Sequence, residues 1–373
     1  MMKNREVASA VSMASTGAIV FLLLPLLVGQ MIEDLGLDSA EAGQTASVFF
    51  ASYFLSSASA FLWVHKIQIK NAAIIAYGLM IAGLFGASIL PFTMLLIAGL
   101  AIAGLGSGML YAVGVSILGA GENEARNFGV MLAGQQMLAA LLFLSIPVMV
   151  APEWGLQGSL LSIALAALLL SFTVRWLSPG LAIRGDSQIV LIASKPELST
   201  LLAMLIHFTA LSALWAFVER IGTDSSLQHD FIGNALAFSM LGGLIGAAAA
   251  SVQGNKYGSP GPIWLSAILF VIVNAAFYGP ISGITFVITT FLLSLAWNYS
   301  LAYQMTVISQ VDVGNRFTVL IPAAQSAGAM IGPALGGVLM LAGSSSMLLV
   351  SGFGVLVASS ILGYFGSRTA RSV

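Results

Sequence analysis

Residues 122–136 read ENEARNFGVMLAGQQ, and residues 312–325 read DVGNRFTVLIPAAQ. Each stretch holds an acid, an Arg four residues on and a Gln nine residues beyond the Arg: Glu122, Arg126 and Gln135 in one, Asp312, Arg316 and Gln325 in the other. The offset between them is 190 residues, about half of the 373-residue chain. The same offset carries Leu37 onto Leu227, Gly43 onto Gly233 and Lys66 onto Lys256. A single match of polar residues means little, because polar residues punctuate all loops. One offset held through several corresponding loops points to a chain built from two parallel halves.

Composition says where such a chain lives. Hydrophobic residues make up 58% of it and charged residues only 7%, with a mean hydropathy of +1.00, against the roughly one-quarter charged residues of a soluble domain. The chain reads as an all-α membrane protein. Its net charge of -1 leaves no basic surface for nucleic acid. With no Cys there is no disulfide, thiolate metal site or Cys nucleophile. The apolar run from Ala8 to Ile32 is too long for the core of a cleavable signal peptide and reads as a retained first span.

A bilayer core takes about 20 apolar residues per helix. By that measure there are twelve transmembrane helices, spans 1 to 12, at 8–32, 42–64, 71–90, 92–118, 127–150, 157–176, 198–221, 231–253, 260–279, 282–308, 316–342 and 345–366. Lys and Arg collect in cytoplasmic loops. With the N-terminus inside, 12 of the 13 lie on that face, from Lys3 and Arg5 to Arg368 and Arg371, and only Arg220 lies opposite. The other face is acidic, with Glu33, Asp34, Asp38, Glu41, Glu153, Asp224 and Asp230. The expectation is a multi-pass protein of the cell (inner) membrane with both termini cytoplasmic. It comprises an N-terminal six-helix bundle over 1–176, a cytoplasmic linker over 177–197 and a C-terminal six-helix bundle over 198–373. Parallel repeats of this kind place a binding site between the halves near the midplane.

With these features the chain resembles the Major Facilitator Superfamily over nearly its whole length. In span 11, Gly328-Ala-Met-Ile-Gly332-Pro333-Ala-Leu-Gly336-Gly337 fits the family's GxxxGPxxGG helix pattern. That pattern is best known in span 5 of the family's drug antiporters, and span 11 is its pseudo-symmetric counterpart. Small residues on one face let helix backbones approach closely, and Pro333 loosens the local hydrogen-bond ladder, so tight packing is the favoured reading of these five residues. The family's loop signature after span 2, G-x-x-x-D-R-x-G-R, is degraded here to Val64-His65-Lys66-Ile67-Gln68-Ile69-Lys70, with His65 at the Asp position. After span 8, Asn255-Lys256-Tyr257-Gly258 is closer to it. The resemblance implies that these loops latch the cytoplasmic side, with Lys66, Arg126, Lys256 and Arg316 as gate candidates. Glu122 with Arg126, and Asp312 with Arg316, are also spaced for local helix pairs.

The resemblance also places spans 1, 4, 7 and 10 around a central cavity, where polar residues need explaining. The solute contacts expected are Tyr111, Gln135, His207, Trp215, Asn298, Tyr299, Tyr303 and Gln325, led by Tyr299 and Asn298. Interhelical hydrogen bonding of the amides and packing of the rings are the competing readings. Ionisable side chains are costly inside spans, and few occur. His207 lies about ten residues into span 7, Glu219 stands beside Arg220 near its outer end, and Glu33 lies just past span 1; these are the coupling candidates. No basic residue stands between Pro91 and Gly121, so span 4 offers no cation for a doubly charged solute.

The reading is a secondary active transporter of a small organic solute, neutral, amphipathic or singly charged, working by alternating access. A proton is the coupling ion the family uses widely. A facilitated-diffusion uniporter, and a transport-inactive sensor or assembly factor on the same fold, are the alternatives. An enzyme is not expected: no HExxH, no paired membrane Asp and no G-x-x-x-x-G-K-[ST] loop occurs, so neither catalytic residues, metal nor cofactor are expected. A monomer is what the resemblance implies.

Overall fold

The structure is a computed structural model that describes residues 4–37, 39–64, 66–89, 93–178, 194–277, 281–312, 317–343 and 345–370. Among the described residues each of the twelve expected spans is helical and no strand occurs. The chain is a multi-pass membrane protein. Apolar side chains such as Ile74, Phe85, Leu141, Leu168 and Val271 remain exposed on the helices, as a hydrocarbon solvent allows.

Local chemistry sets the breaks. Span 1 divides into Asn4–Leu22 and Leu24–Leu35, just ahead of Pro25, which lacks the N–H that continues a helix. Span 5 runs Glu124–Ser145 and opens into a π turn at Ile146–Val150 that contains Pro147. The corner into span 6 turns at Gly155, with φ 48° and ψ -139°, a conformation that side chains with a Cβ rarely adopt. Span 7, Lys195–Asp224, begins with a capping box. The Glu197 carboxylate accepts the Ser194 N–H at 2.7 Å while Ser194 Oγ accepts the Glu197 N–H at 3.4 Å. Span 10, Gly283–Val311, is capped by Ser282, whose hydroxyl accepts the Thr285 N–H at 3.2 Å.

The chain forms two compact units: Met1–Gly121 with Met137–Ile189 and Gly314–Ala323, and Glu122–Gln136 with Val190–Val313 and Ala324–Val373. The first half of span 5 therefore packs within the second unit. In the first unit, span 4 packs against spans 1, 2 and 3, and span 6 against spans 1 and 3. In the second unit, span 10 packs against spans 7, 8 and 9, and span 12 against spans 7 and 9. Each of these pairings recurs six spans later, which is the 190-residue offset expressed as packing.

Close approach depends on missing side chains. A Cβ at Gly99 of span 4 would lie 2.6 Å from the Gly83 carbonyl of span 3, and one at Gly114 would lie 2.8 Å from the Ala10 carbonyl of span 1. Span 11, Ile321–Gly343, uses the same device. A Cβ at Gly328 would lie 2.6 Å from the Leu205 carbonyl of span 7, one at Gly332 would strike Ser212 and Thr209, and one at Gly336 would lie 2.8 Å from the Phe217 ring. The side-chain surroundings of Pro333 and Gly337 lie outside the described residues.

Candidate functional site

The second unit gathers most of the polar side chains singled out in the sequence. At the start of span 5, Asn123 Oδ1 accepts the Arg126 N–H at 3.1 Å, an N-cap for the helix. Asn255, from the loop after span 8, completes the cap: its Oδ1 accepts the Ala125 N–H at 3.3 Å and its Nδ2 donates to Glu124 Oε2 at 2.7 Å. Gly254, at φ +52°, makes room, since a Cβ there would lie 2.9 Å from the Asn123 amide. Asn255 thus satisfies a backbone donor that a helix start leaves open and ties it to a neighbouring carboxylate. Glu122 and Arg126 are exposed, and among the described residues no ion pair joins them. Lys66 is exposed in its loop, and Lys256 lies over the Tyr257 ring, 5.3 Å from its centroid. Asp312 follows the last turn of span 10. Arg316 lies outside the described residues.

One turn-spaced pair on span 10 reaches the same end of span 8. The rings of Tyr299 and Tyr303 meet edge to face with centroids 5.2 Å apart. The Tyr299 hydroxyl donates to Gln253 Oε1 at 2.8 Å and the Tyr303 hydroxyl donates to the Gly254 carbonyl at 3.1 Å. Beside them, Asn298 Nδ2 donates to the Ser294 carbonyl at 3.0 Å and Asn298 Oδ1 accepts from Gln136 Nε2 at 3.1 Å. Gln135 and Gln136 are both buried.

His207 is fully buried among spans 7, 9, 10 and 12. Its Nδ1 lies 3.1 Å from Ser359 Oγ and 2.9 Å from the Gln304 amide, and its ring meets Phe270 edge on at 5.7 Å. Ser359 gives its own proton to the Leu356 carbonyl, 2.8 Å away, while the Gln304 atom at Nδ1 is Nε2, itself a donor, so the roles at Nδ1 depend on the tautomer of the ring. Nε2 has no hydrogen-bond partner among the described residues. Trp215 and Trp297, both half-buried, meet edge to face at 5.9 Å, and Phe208 also meets Trp297 edge to face, at 6.3 Å. Gln325 is buried, with Nε2 3.9 Å from Met204 Sδ.

The remaining candidates lie elsewhere. Tyr111, in the first unit, is buried against Tyr53 with centroids 6.2 Å apart. Glu33 is exposed, and the side chain of Glu219 lies outside the described residues. Asp34, which sequence reasoning treats only as part of an acidic face, makes a specific bond to span 6: its carboxylate accepts the Leu156 N–H at 2.6 Å. Asn123, Glu124 and Gln253 carry no role in the sequence alone, and Gln136 stands there, with Gln135 and Gln325, as an amide in hydrocarbon that needs a partner. Asn255 carries a usable signal, because it follows span 8 where a backbone reversal needs a Gly and a capping side chain.

No family model matches the sequence, and no curated protein matches it. Solved structures do. Among the described residues the fold is that of solved Major Facilitator Superfamily transporters. A crystal structure of a Major Facilitator Superfamily transporter, FucP, in the outward conformation is similar at a TM-score of 0.76 and 16% identity, with 98% of each chain covered. A substituted form of the E. coli fucose:proton symporter FucP is similar at a TM-score of 0.75 and 16% identity, again with 98% of each chain covered.

Proposed function

We propose that the chain is a secondary transporter that carries a small organic solute across the cell (inner) membrane by alternating access, as a monomer with both termini cytoplasmic. The observation that carries this reading is the whole-chain likeness to a transporter fold, with 98% of both chains covered, on a sequence whose two halves repeat. The solute contacts proposed are Tyr111, Gln135, His207, Trp215, Asn298, Tyr299, Tyr303 and Gln325. The aromatic, amide and hydroxyl character of this set suits a neutral or singly charged solute. The corner formed by Asn123, Glu124 and Asn255 is the proposed latch, a neutral amide standing where the resembled loop signature has an acid.

Proton coupling is the second part of the reading. It is favoured by the E. coli neighbour, described as a fucose:proton symporter, and by His207, an ionisable ring within span 7. The test is uptake by purified protein in proteoliposomes over a panel of sugars, organic acids, amines and amino acids, with and without an imposed pH gradient. Saturable flux of one class, raised by the gradient, is the expected result. Flux without response to the gradient leaves facilitated diffusion, and no flux for any class overturns transport.

A further inference from the structure

Spans 5, 8 and 10 of the second unit bring Gln136 and Asn298 together beside Gly243, and with Gln135, the buried residue before Gln136 on span 5, they form a set of amides whose hydrogen bonding does not close. Gln135 is 4% exposed, Gln136 6% and Asn298 4%. Gln136 Nε2 donates to Asn298 Oδ1 at 3.1 Å, and Asn298 Nδ2 donates to the Ser294 carbonyl at 3.0 Å. After these bonds Gln135 Nε2 and Gln136 Oε1 remain buried without a partner among the described residues. Gly243 of span 8 gives the amides their space. A Cβ there would lie 2.8 Å from Asn298 Nδ2 and 3.0 Å from the Gln136 amide carbon, so any other residue at that position would press on both.

A buried donor and a buried acceptor with no partner forfeit their hydration and receive nothing for it. Amides held only for packing between helices would close on one another, as Gln136 and Asn298 do. The extra donor on Gln135 and the extra acceptor on Gln136 are left over, on adjacent residues of one helix. We infer that Gln135, Gln136 and Asn298 form a recognition site for a neutral solute bearing a hydrogen-bond acceptor and a donor, such as neighbouring hydroxyls or a primary amide. The solute loads by taking the place of the Gln136–Asn298 bond. This inference rests on the transporter reading and adds to it Gln136, the exchange of one hydrogen bond for another, and the neutrality of the solute at this point. No carboxylate or cation among the described residues bonds to the set, and amides alone compensate poorly for removing a charge from water.

The experiment measures equilibrium binding to purified protein in detergent of monosaccharides, polyols and primary amides, against carboxylates and amines of the same size. The proteins are the wild type, Gln135→Met and Gln136→Met, each replacement similar in length but without the amide. The expected result is binding of one neutral hydroxyl- or amide-bearing class, weakened about five- to ten-fold in each variant, as the loss of one neutral hydrogen bond implies. The chain has no Cys, so Gln136→Cys supplies a sole thiol as a second readout, and bound solute should slow its alkylation at least about five-fold. Binding by charged solutes alone, affinity within two-fold of wild type in both Met variants, or alkylation indifferent to solute would each overturn the site. Flux in proteoliposomes is read separately. A protein that shows the binding pattern but no flux keeps the site and loses the transporter reading, whereas flux with unaltered binding in the variants does the reverse.

Discussion

The carboxylate of Asp34, at the end of span 1, accepts the backbone N–H of Leu156 at 2.6 Å and so caps span 6 from 122 positions away in the chain. The bond works because Gly155 bends the chain at φ 48° immediately before the capped residue. A Cβ at Gly155 would strike that same carboxylate. Gly155→Ala therefore meets two penalties, a backbone conformation that costs about 1–3 kcal/mol without glycine and the loss of the cap, worth about 1 kcal/mol. Asp34→Ala meets only the second. Thermal unfolding of purified protein should rank wild type above Asp34→Ala above Gly155→Ala. Equal midpoints for the two variants would show that the turn carries no strain of its own.

In the loop after span 8, Asn255 both accepts from the Ala125 N–H and donates to Glu124. Asn255→Asp keeps the acceptor, removes the donor and sets a second carboxylate beside Glu124. Asn255→Ala removes both bonds. The first substitution should be the more disruptive, because like charges in contact add repulsion to the lost bond. Alkylation of a single Cys introduced at Ala125, which is buried in the wild type, measures the opening. The expected rates fall from Asn255→Asp to Asn255→Ala to the unaltered loop. A rate in Asn255→Asp no faster than with the unaltered loop would remove this corner from the latch.

The spans were legible because lipid demands runs of about 20 apolar residues and because the loops between them carry the charges. The duplication was legible because a constant offset survives in Arg126 and Arg316 and in Lys66 and Lys256. Local chemistry was within reach too: Tyr299 and Tyr303 stand one turn apart, and Ser194 with Glu197 has capping-box spacing. Contacts between distant spans were not. Asp34 with Leu156, Glu124 with Asn255 and Gln136 with Asn298 join residues 122, 131 and 162 positions apart, and no periodicity announces which buried amide faces which. The exchange of half of span 5 into the second unit has no sequence signature either, since packing of an apolar helix in lipid is decided by shape.

Span 11 is the strictest packing test. A Cβ at Gly332 would strike the Ser212 hydroxyl and the Thr209 carbonyl, and Ser212 is already engaged with the Phe208 carbonyl at 2.6 Å. Gly332→Val should cost about 1–3 kcal/mol through overpacking, while Gly354→Ala, where nothing lies within 4 Å of the new Cβ, should be near neutral. Unfolding midpoints in detergent decide it. Equal behaviour of the two would mean that spans 7 and 11 do not meet as described.

For Tyr299 the ring and the hydroxyl can be separated. The hydroxyl is taken by Gln253 at 2.8 Å, so it is not free for solute. Tyr299→Phe should lower stability by about 0.5–1.5 kcal/mol and leave solute affinity within two-fold, whereas Tyr299→Ala removes the ring and should weaken binding by about ten-fold. Affinity unchanged in a folded Tyr299→Ala would end the case for span 10 tyrosines as solute contacts. Loss in the Phe variant equal to that in the Ala variant would mean that the hydroxyl leaves Gln253 to meet the solute.

Of the coupling candidates, His207 is the one whose side chain is described within a span. Its Nδ1 is engaged by Ser359 and Gln304, and Nε2 is left without a partner among the described residues. His207→Gln keeps a polar group among Gln304, Ser359 and Phe270 but carries no proton. In proteoliposomes it should abolish accumulation driven by a pH gradient, whereas solute exchange at equal pH on both sides should persist, weakened only as the loss of one solute contact implies. Glu219→Gln is the companion variant near the Asp224 end of the same span. Gradient-driven accumulation undiminished in both variants would remove both candidates from coupling and favour a uniporter.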